Sequence, residues 1–152
     1  MTNISDKIEE FELDTDQGKF HSKDHIGKNL VIFFFPKADT TGCTKEAISF
    51  SDLINEFENL NTIVIGISKD TIEKQKKFKS KYDLKCALGS DADVKICSKF
   101  GVWVEKSMYG RKYMGIQRST FLINTEGKIQ HIWNKVKVPG HAEEVLEVVK
   151  KL

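Results

Sequence analysis

Apolar positions fall into three strong runs. Leu30 to Phe35 (LVIFFF) is apolar throughout and ends at Pro36, and Thr62 to Ser68 (TIVIGIS) is nearly so. Ile116 to Asn124 (IQRSTFLIN) is the third. Short runs without alternation predict strands buried on both faces of a sheet. Between them the period lengthens. Ala47, Phe50, Ile54 and Phe57 share one helical stripe after the polar loop Lys37 to Gly42,. Thr71 to Tyr82 predicts a lysine-rich helix with Ile72, Phe78 and Tyr82 turned inward, and Ala92 to Phe100 a short helix started by Asp91 or Asp93 and stopped by Gly101,. His141 to Leu152 predicts a last helix, whose Glu143 and Glu144 at the start and Lys150 and Lys151 at the end suit the helix dipole,.

The weaker signals fill the gaps. Phe11 to Phe20 alternates around the turn Asp16-Gln17-Gly18, and Ile26 to Asn29 is a second turn,. Cys86 to Leu88 reads as a short strand, Val102 to Val104 opens another, and Tyr109 to Met114 is a polar loop or strand. Thr125 to Lys128 turns into a hairpin partner over Ile129 to Asn134,. This order predicts an α/β fold, a central mixed β-sheet with helices on both faces.

Composition narrows the class. A chain of 152 residues suits one domain, 1–152, able to bury a core without staples,. The net charge of +2 gives no argument for nucleic acid or a membrane surface,. The run KQKKFKSK reads as a solvated helix face rather than a basic patch, because the overall charge is balanced,. No run of apolar residues is long enough to span a membrane, and MTNISDKIEEFELD shows neither the basic nor the apolar part of a secretory signal,. The 3 cysteines, with no C-x-x-C, fit a reducing compartment, so a cytoplasmic protein is expected,. Cys43, Cys86 and Cys97 are too scattered to read as zinc ligands, and His21, His25, His131 and His141 have no metal-ligand spacing,. No metal and no cofactor is expected. Trp103 and Trp133 read as packing residues.

Cys43 stands at the seam between the first strong strand's loop and its following helix. The unpaired N–H groups and partial positive charge of a helix start favour a thiolate. Thr40-Thr41-Gly42-Cys43 holds threonine where a thioredoxin would carry its first cysteine. Instead, Pro36 to Cys43 resembles the P-x-x-x-T-x-x-C signature of peroxiredoxins. GCTKEAISF, SDADVKICSKFGVWVEKSMYGRKYMGIQRSTFLIN and PGHAEEVLEVVKK extend the likeness from about Phe11 to the end. Together they resemble the bacterioferritin comigratory protein, or Q-type, subgroup.

The resemblance implies a thioredoxin-like fold and a thiol-dependent peroxidase of hydrogen peroxide and organic hydroperoxides. Cys43 would attack one peroxide oxygen and become a sulfenic acid. An ordinary thiol is only about 3% ionised at pH 7. A lower pKa raises that fraction but weakens the nucleophile, so donors to the departing oxygen must supply most of the acceleration. Thr40 offers a hydroxyl toward the pocket or a helix cap, Gly42 and Cys43 offer backbone N–H groups, and Pro36 shields the wall. The resemblance places Arg118 beside the thiolate and gives Glu46 a supporting contact. Many relatives carry a resolving cysteine five residues after the first; here that position is Ile48, and Thr41 stands where proline is usual. Cys97 and Cys86 are the internal candidates, either of which would require local unwinding, and an external thiol such as thioredoxin or glutathione is the alternative. A monomer is expected by likeness to the subgroup. A redox sensor that passes oxidation from Cys43 to a partner is the competing reading.

Overall fold

A computed structural model describes residues 3–152. The chain runs β1 (Glu12–Thr15), β2 (Gly18–His21), β3 (Asn29–Phe34), α1 (Thr41–Asp52), α2 (Ile54–Asn59), β4 (Thr62–Ser68), α3 (Ile72–Tyr82) and β5 (Ala87–Ser90). It continues through α4 (Lys95–Lys99), β6 (Trp103–Met108), β7 (Arg111–Ile116), β8 (Ser119–Ile123), β9 (Ile129–Trp133) and α5 (His141–Lys150). Seven strands form one mixed sheet in the order β2-β1-β5-β4-β3-β8-β9, while β6 and β7 pair apart from it. The central β3 is parallel to β4 and antiparallel to β8, so Ile32 lies between Ile65 and Phe121.

The uninterrupted apolar run of β3 has a direct cause. Val31, Phe33 and Phe35 face one layer, and Leu30, Ile32 and Phe34 face the other,. The first layer holds α1, α2, α3 and α5 through Phe50, Phe57, Phe78 and Val145; the second holds α4 through Ile96 and the N-terminal hairpin through Leu13 and Phe20. The ring of Phe33 stacks on Phe50 at 4.5 Å between centroids, which seats α1 on the sheet,. Gly66 in the neighbouring strand makes room for that ring: a Cβ there would lie 2.5 Å from the Phe33 Cζ.

Several elements differ from their predicted bounds. The stripe from Ala47 to Phe57 is broken at Leu53, whose N–H bonds the Phe50 carbonyl at 3.1 Å in a tightened turn,. The buried Ser51 hydroxyl accepts from the Lys85 N–H at 2.6 Å and ties this break to the segment before β5. Helix α4 is shorter than Ala92 to Phe100, because the Asp91 carboxylate takes the N–H groups of Ile96 (3.1 Å) and Cys97 (2.7 Å) while Val94 turns to φ +52,. Of the two alternatives for Tyr109 to Met114, loop or strand, the strand holds from Arg111 onward. Tyr109 (φ 52) and Gly110 (φ 78) make a tight turn, and the strand predicted over Ile116 to Asn124 divides between β7 and β8,. The two residues left between those strands are Gln117 and Arg118.

Candidate active site

The site forms at the carboxyl end of β3, where ligand sites of open α/β sheets lie. Phe35 still bonds the Ile67 carbonyl at 3.0 Å, and half-buried Pro36 then removes a donor and turns the chain out of the sheet,. Helix α1 begins at Thr41, and its first backbone bond runs from the Thr44 N–H to the Thr40 carbonyl at 2.8 Å. The N–H groups of Gly42 and Cys43 precede that bond and have no acceptor within the helix. They bring partial positive charge to the helix start at which Cys43 stands.

Arg118 completes the arrangement. The Val136 N–H holds the Arg118 carbonyl at 3.0 Å, and the next residue, Ser119, pairs with Phe34 at the end of β3. From there the guanidinium forks. Nη2 donates to the Cys43 Sγ at 3.2 Å and Nη1 donates to the Glu46 Oε1 at 2.6 Å,. Cys43 and Glu46 lie one turn apart on α1, so one planar cation reaches both. Gly42 allows the approach, since a Cβ there would sit 3.2 Å from Nη2.

Burial sets the charges. Cys43 and Glu46 are each 1% exposed. Burial raises the Glu46 carboxyl to about 7, although the Arg118 charge and hydrogen bond pull it down,. Burial works against the Arg118 charge, but Glu46 and Cys43 outweigh it and hold that group above its ordinary range. A residue absent from the sequence reading also belongs to this field. Lys106 on β6 is half-buried, and its pKa is lowered by burial and then by Arg118, with Cys43 acting the other way. It stands on the β6–β7 hairpin, whose second strand the polar pattern of Tyr109 to Met114 left open between loop and strand.

The loop before Cys43 is tethered on its outer side. Asp70 accepts from the Ala38 N–H at 2.8 Å and from the Ser68 hydroxyl at 2.6 Å; Gln75 Nε2 donates to that hydroxyl at 3.0 Å. Asp39, at φ +62, accepts from Tyr82 (2.6 Å) and Lys81 (2.9 Å), and the two hydrogen bonds lower its pKa. No sequence reading assigned these anchors; Asp70, the acid just after β4, is the one local feature that could have pointed to them.

The fold thus brings Cys43, Gly42, Glu46 and Arg118 into contact, with Pro36 and Thr40 on the preceding loop. Thr40 occupies the cap position without capping. Its exposed hydroxyl donates to the Lys37 carbonyl at 2.8 Å, so the cap, one of the two roles offered for it, gives way to a bond across the loop. That bond uses its one proton and leaves its lone pairs as acceptors. Neither Cys86 nor Cys97 shares a hydrogen bond or a disulfide with Cys43, Glu46 or Arg118. Cys86 shares the layer of Cys43 but is 1% exposed, and burial pushes its thiol to about 12. Cys97 is 0% exposed in the opposite layer, with the sheet between it and Cys43; burial, then Asp91, pushes its thiol upward. Trp133 packs between His131 and His141, and the His141 Nε2 meets the Thr120 hydroxyl at 2.8 Å. Among the described residues no group of three or more His, Cys, Asp or Glu could hold a metal ion, and no helix is long and apolar enough to cross a membrane.

Known proteins share this plan. The AhpC/TSA family model matches residues 4–132. The chain is 45% identical over 144 residues to a putative peroxiredoxin bcp of Coxiella burnetii, covering 94% of this chain and 95% of that one. It is 42% identical over 150 residues to the peroxiredoxin Bcp of Bacillus subtilis, with 98% and 96% covered. Among solved structures, a cysteine-to-serine mutant of Xylella fastidiosa PrxQ superposes with a TM-score of 0.95 at 36% identity, covering 99% and 97%. The bacterioferritin comigratory protein of Xanthomonas campestris, studied for its alkyl peroxide reduction activity, gives 0.90 at 37% identity, covering 96% and 98%. Likeness in sequence and in fold that runs along nearly the entire chain makes this protein a member of the AhpC/TSA family, a peroxiredoxin of the Bcp or Q-type group and hence a thiol-dependent peroxidase.

Proposed function

We propose that Cys43 is the sulfur that takes oxygen from hydrogen peroxide and alkyl hydroperoxides, and that an external thiol restores it. The Cys43 thiolate attacks the terminal peroxide oxygen in line. An S–O bond forms, the O–O bond breaks, and the other oxygen leaves as hydroxide or alkoxide, which then takes a proton. Arg118 Nη2 and the N–H groups of Gly42 and Cys43 are the donors for that departing charge. The free lone pairs of Thr40 accept the peroxide's own O–H, and Pro36 keeps water from the opposite wall. Glu46 holds the guanidinium in its plane.

The product is a Cys43 sulfenic acid. An external thiol condenses with it, releasing water and leaving a mixed disulfide; a second thiol displaces Cys43 and carries the disulfide away. Burial of Cys86 and Cys97, with their raised thiol pKa values, supports the external route over an internal one. Thioredoxin or glutathione is the reductant class, and the protein acts as a cytoplasmic monomer.

The fork from Arg118 to Cys43 and Glu46 carries this reading. Peroxide consumption with thioredoxin or with glutathione tests it. Cys43→Ser should lose turnover, whereas Cys86→Ser and Cys97→Ser should keep it. Consumption that stops near one peroxide per wild-type chain would favour a redox sensor instead.

A further inference from the structure

We propose that the groove between the Lys37–Asp39 loop and α3 docks a small thiol bearing carboxylates, which reduces oxidised Cys43; this rests on the external-thiol reading above. The groove encloses about 530 Å³, within the ~300–1,000 Å³ range of small-molecule sites. Lys74, Lys77 and Lys81 recur on one stripe of α3, and Lys37 faces them from the loop,. Half-buried Ala38 adds apolar surface, and the buried Phe78 ring underlies the groove.

The charge of this groove is unbalanced. Its two carboxylates are already engaged, Asp39 by Tyr82 and Lys81 and Asp70 by Ser68 and the Ala38 N–H. Lys37, Lys74 and Lys77 make no ion pair among the described residues. A concave site with spare positive charge raises the local concentration of an anion. Its shape selects a small molecule over a protein, which needs roughly 800 Å² of contact on each side.

Position gives the anion its role. The loop that walls the groove is the one leading into α1 and Cys43, whose residue exposure is only 1%. A reductant must therefore wait for this segment to move, and the groove holds it there. Once the loop opens, the docked thiol attacks the sulfenic sulfur; an S–S bond forms, the S–O bond breaks, and the oxygen leaves as water.

The test separates docking from chemistry. The protein is oxidised with one equivalent of peroxide, and re-reduction is followed with glutathione and with uncharged 2-mercaptoethanol. In Lys74→Glu/Lys77→Glu the glutathione rate should fall about tenfold or more, while the 2-mercaptoethanol rate and the peroxide step stay within about twofold. Lys37→Gln, which reverses no charge, should lower the glutathione rate by a smaller factor. An unchanged glutathione rate, or equal losses with both thiols, would overturn the proposal. So would slowing of reduction by thioredoxin alone, which would assign the lysines to an acidic protein. Failure of the wild-type protein to form a sulfenic acid at Cys43 would instead remove the reading beneath it, and the proposal with it.

Discussion

At the scale of single residues, the account turns on what one guanidinium can do that another cation cannot. Arg118 sends one nitrogen to the Cys43 sulfur and another to Glu46, 3.2 and 2.6 Å away. Lysine keeps the charge but has no rigid fork. Arg118→Lys should therefore slow the peroxide step by about 10²–10³, the cost of losing one preorganised donor, as read by stopped-flow fluorescence. Gly42→Ala makes a subtler demand. Its Cβ would stand 3.2 Å from Nη2 and push the guanidinium by a few tenths of an ångström, while a helical glycine replaced by alanine favours the helix by up to about 1 kcal/mol. Rate and stability should thus part. We expect a peroxide step slowed about tenfold, which is about 1.4 kcal/mol, with no loss of urea resistance.

At the scale of elements, the tethered loop before α1 matters most. Asp70→Ala would leave the Ala38 N–H and the buried Ser68 hydroxyl without their acceptor. A cost of about 1–3 kcal/mol is expected, together with faster amide exchange in residues 37–42. Unchanged exchange there would show that the loop is held by something else. The same region marks where sequence reading succeeds and where it stops. The β3 run and the cysteine at its helix start were legible because strand burial and helix starts leave local patterns, whereas the glutamate one turn on came only from the family likeness. The match around Arg118 was legible only by likeness, since contact across 75 positions leaves no local trace. The roles of Asp70, Tyr82 and Lys106 were hidden for the same reason. The helix break at Leu53 was hidden because the apolar stripe continues through it.

At the scale of the molecule, two buried groups oppose each other. Glu46 rises from 4.5 in a free chain to about 7 in the fold, so the folded state binds the extra proton. Its contribution to stability is complete below pH 4.5 and is lost as pH rises through 7,. His141 falls from 6.5 to about 4, chiefly through burial, so the unfolded chain binds the extra proton. That contribution is complete above pH 6.5 and is lost as pH falls through 4,. Between pH 4.5 and 6.5 the two slopes nearly cancel. Glu46→Gln should therefore make urea stability climb with pH across this window, by at most about 1.4 kcal/mol per unit. His141→Gln should make it decline. Parallel profiles in both variants would contradict the assignment. The claim beneath all of this is that one sulfur performs the oxygen transfer and that neither of the other two takes part. One equivalent of peroxide, a sulfenic-acid trap and peptide mass spectrometry test it most directly. The account predicts the trapped adduct on Cys43 alone, with Cys86 and Cys97 still reduced. An adduct on either of those, or a disulfide joining one of them to Cys43, would contradict it.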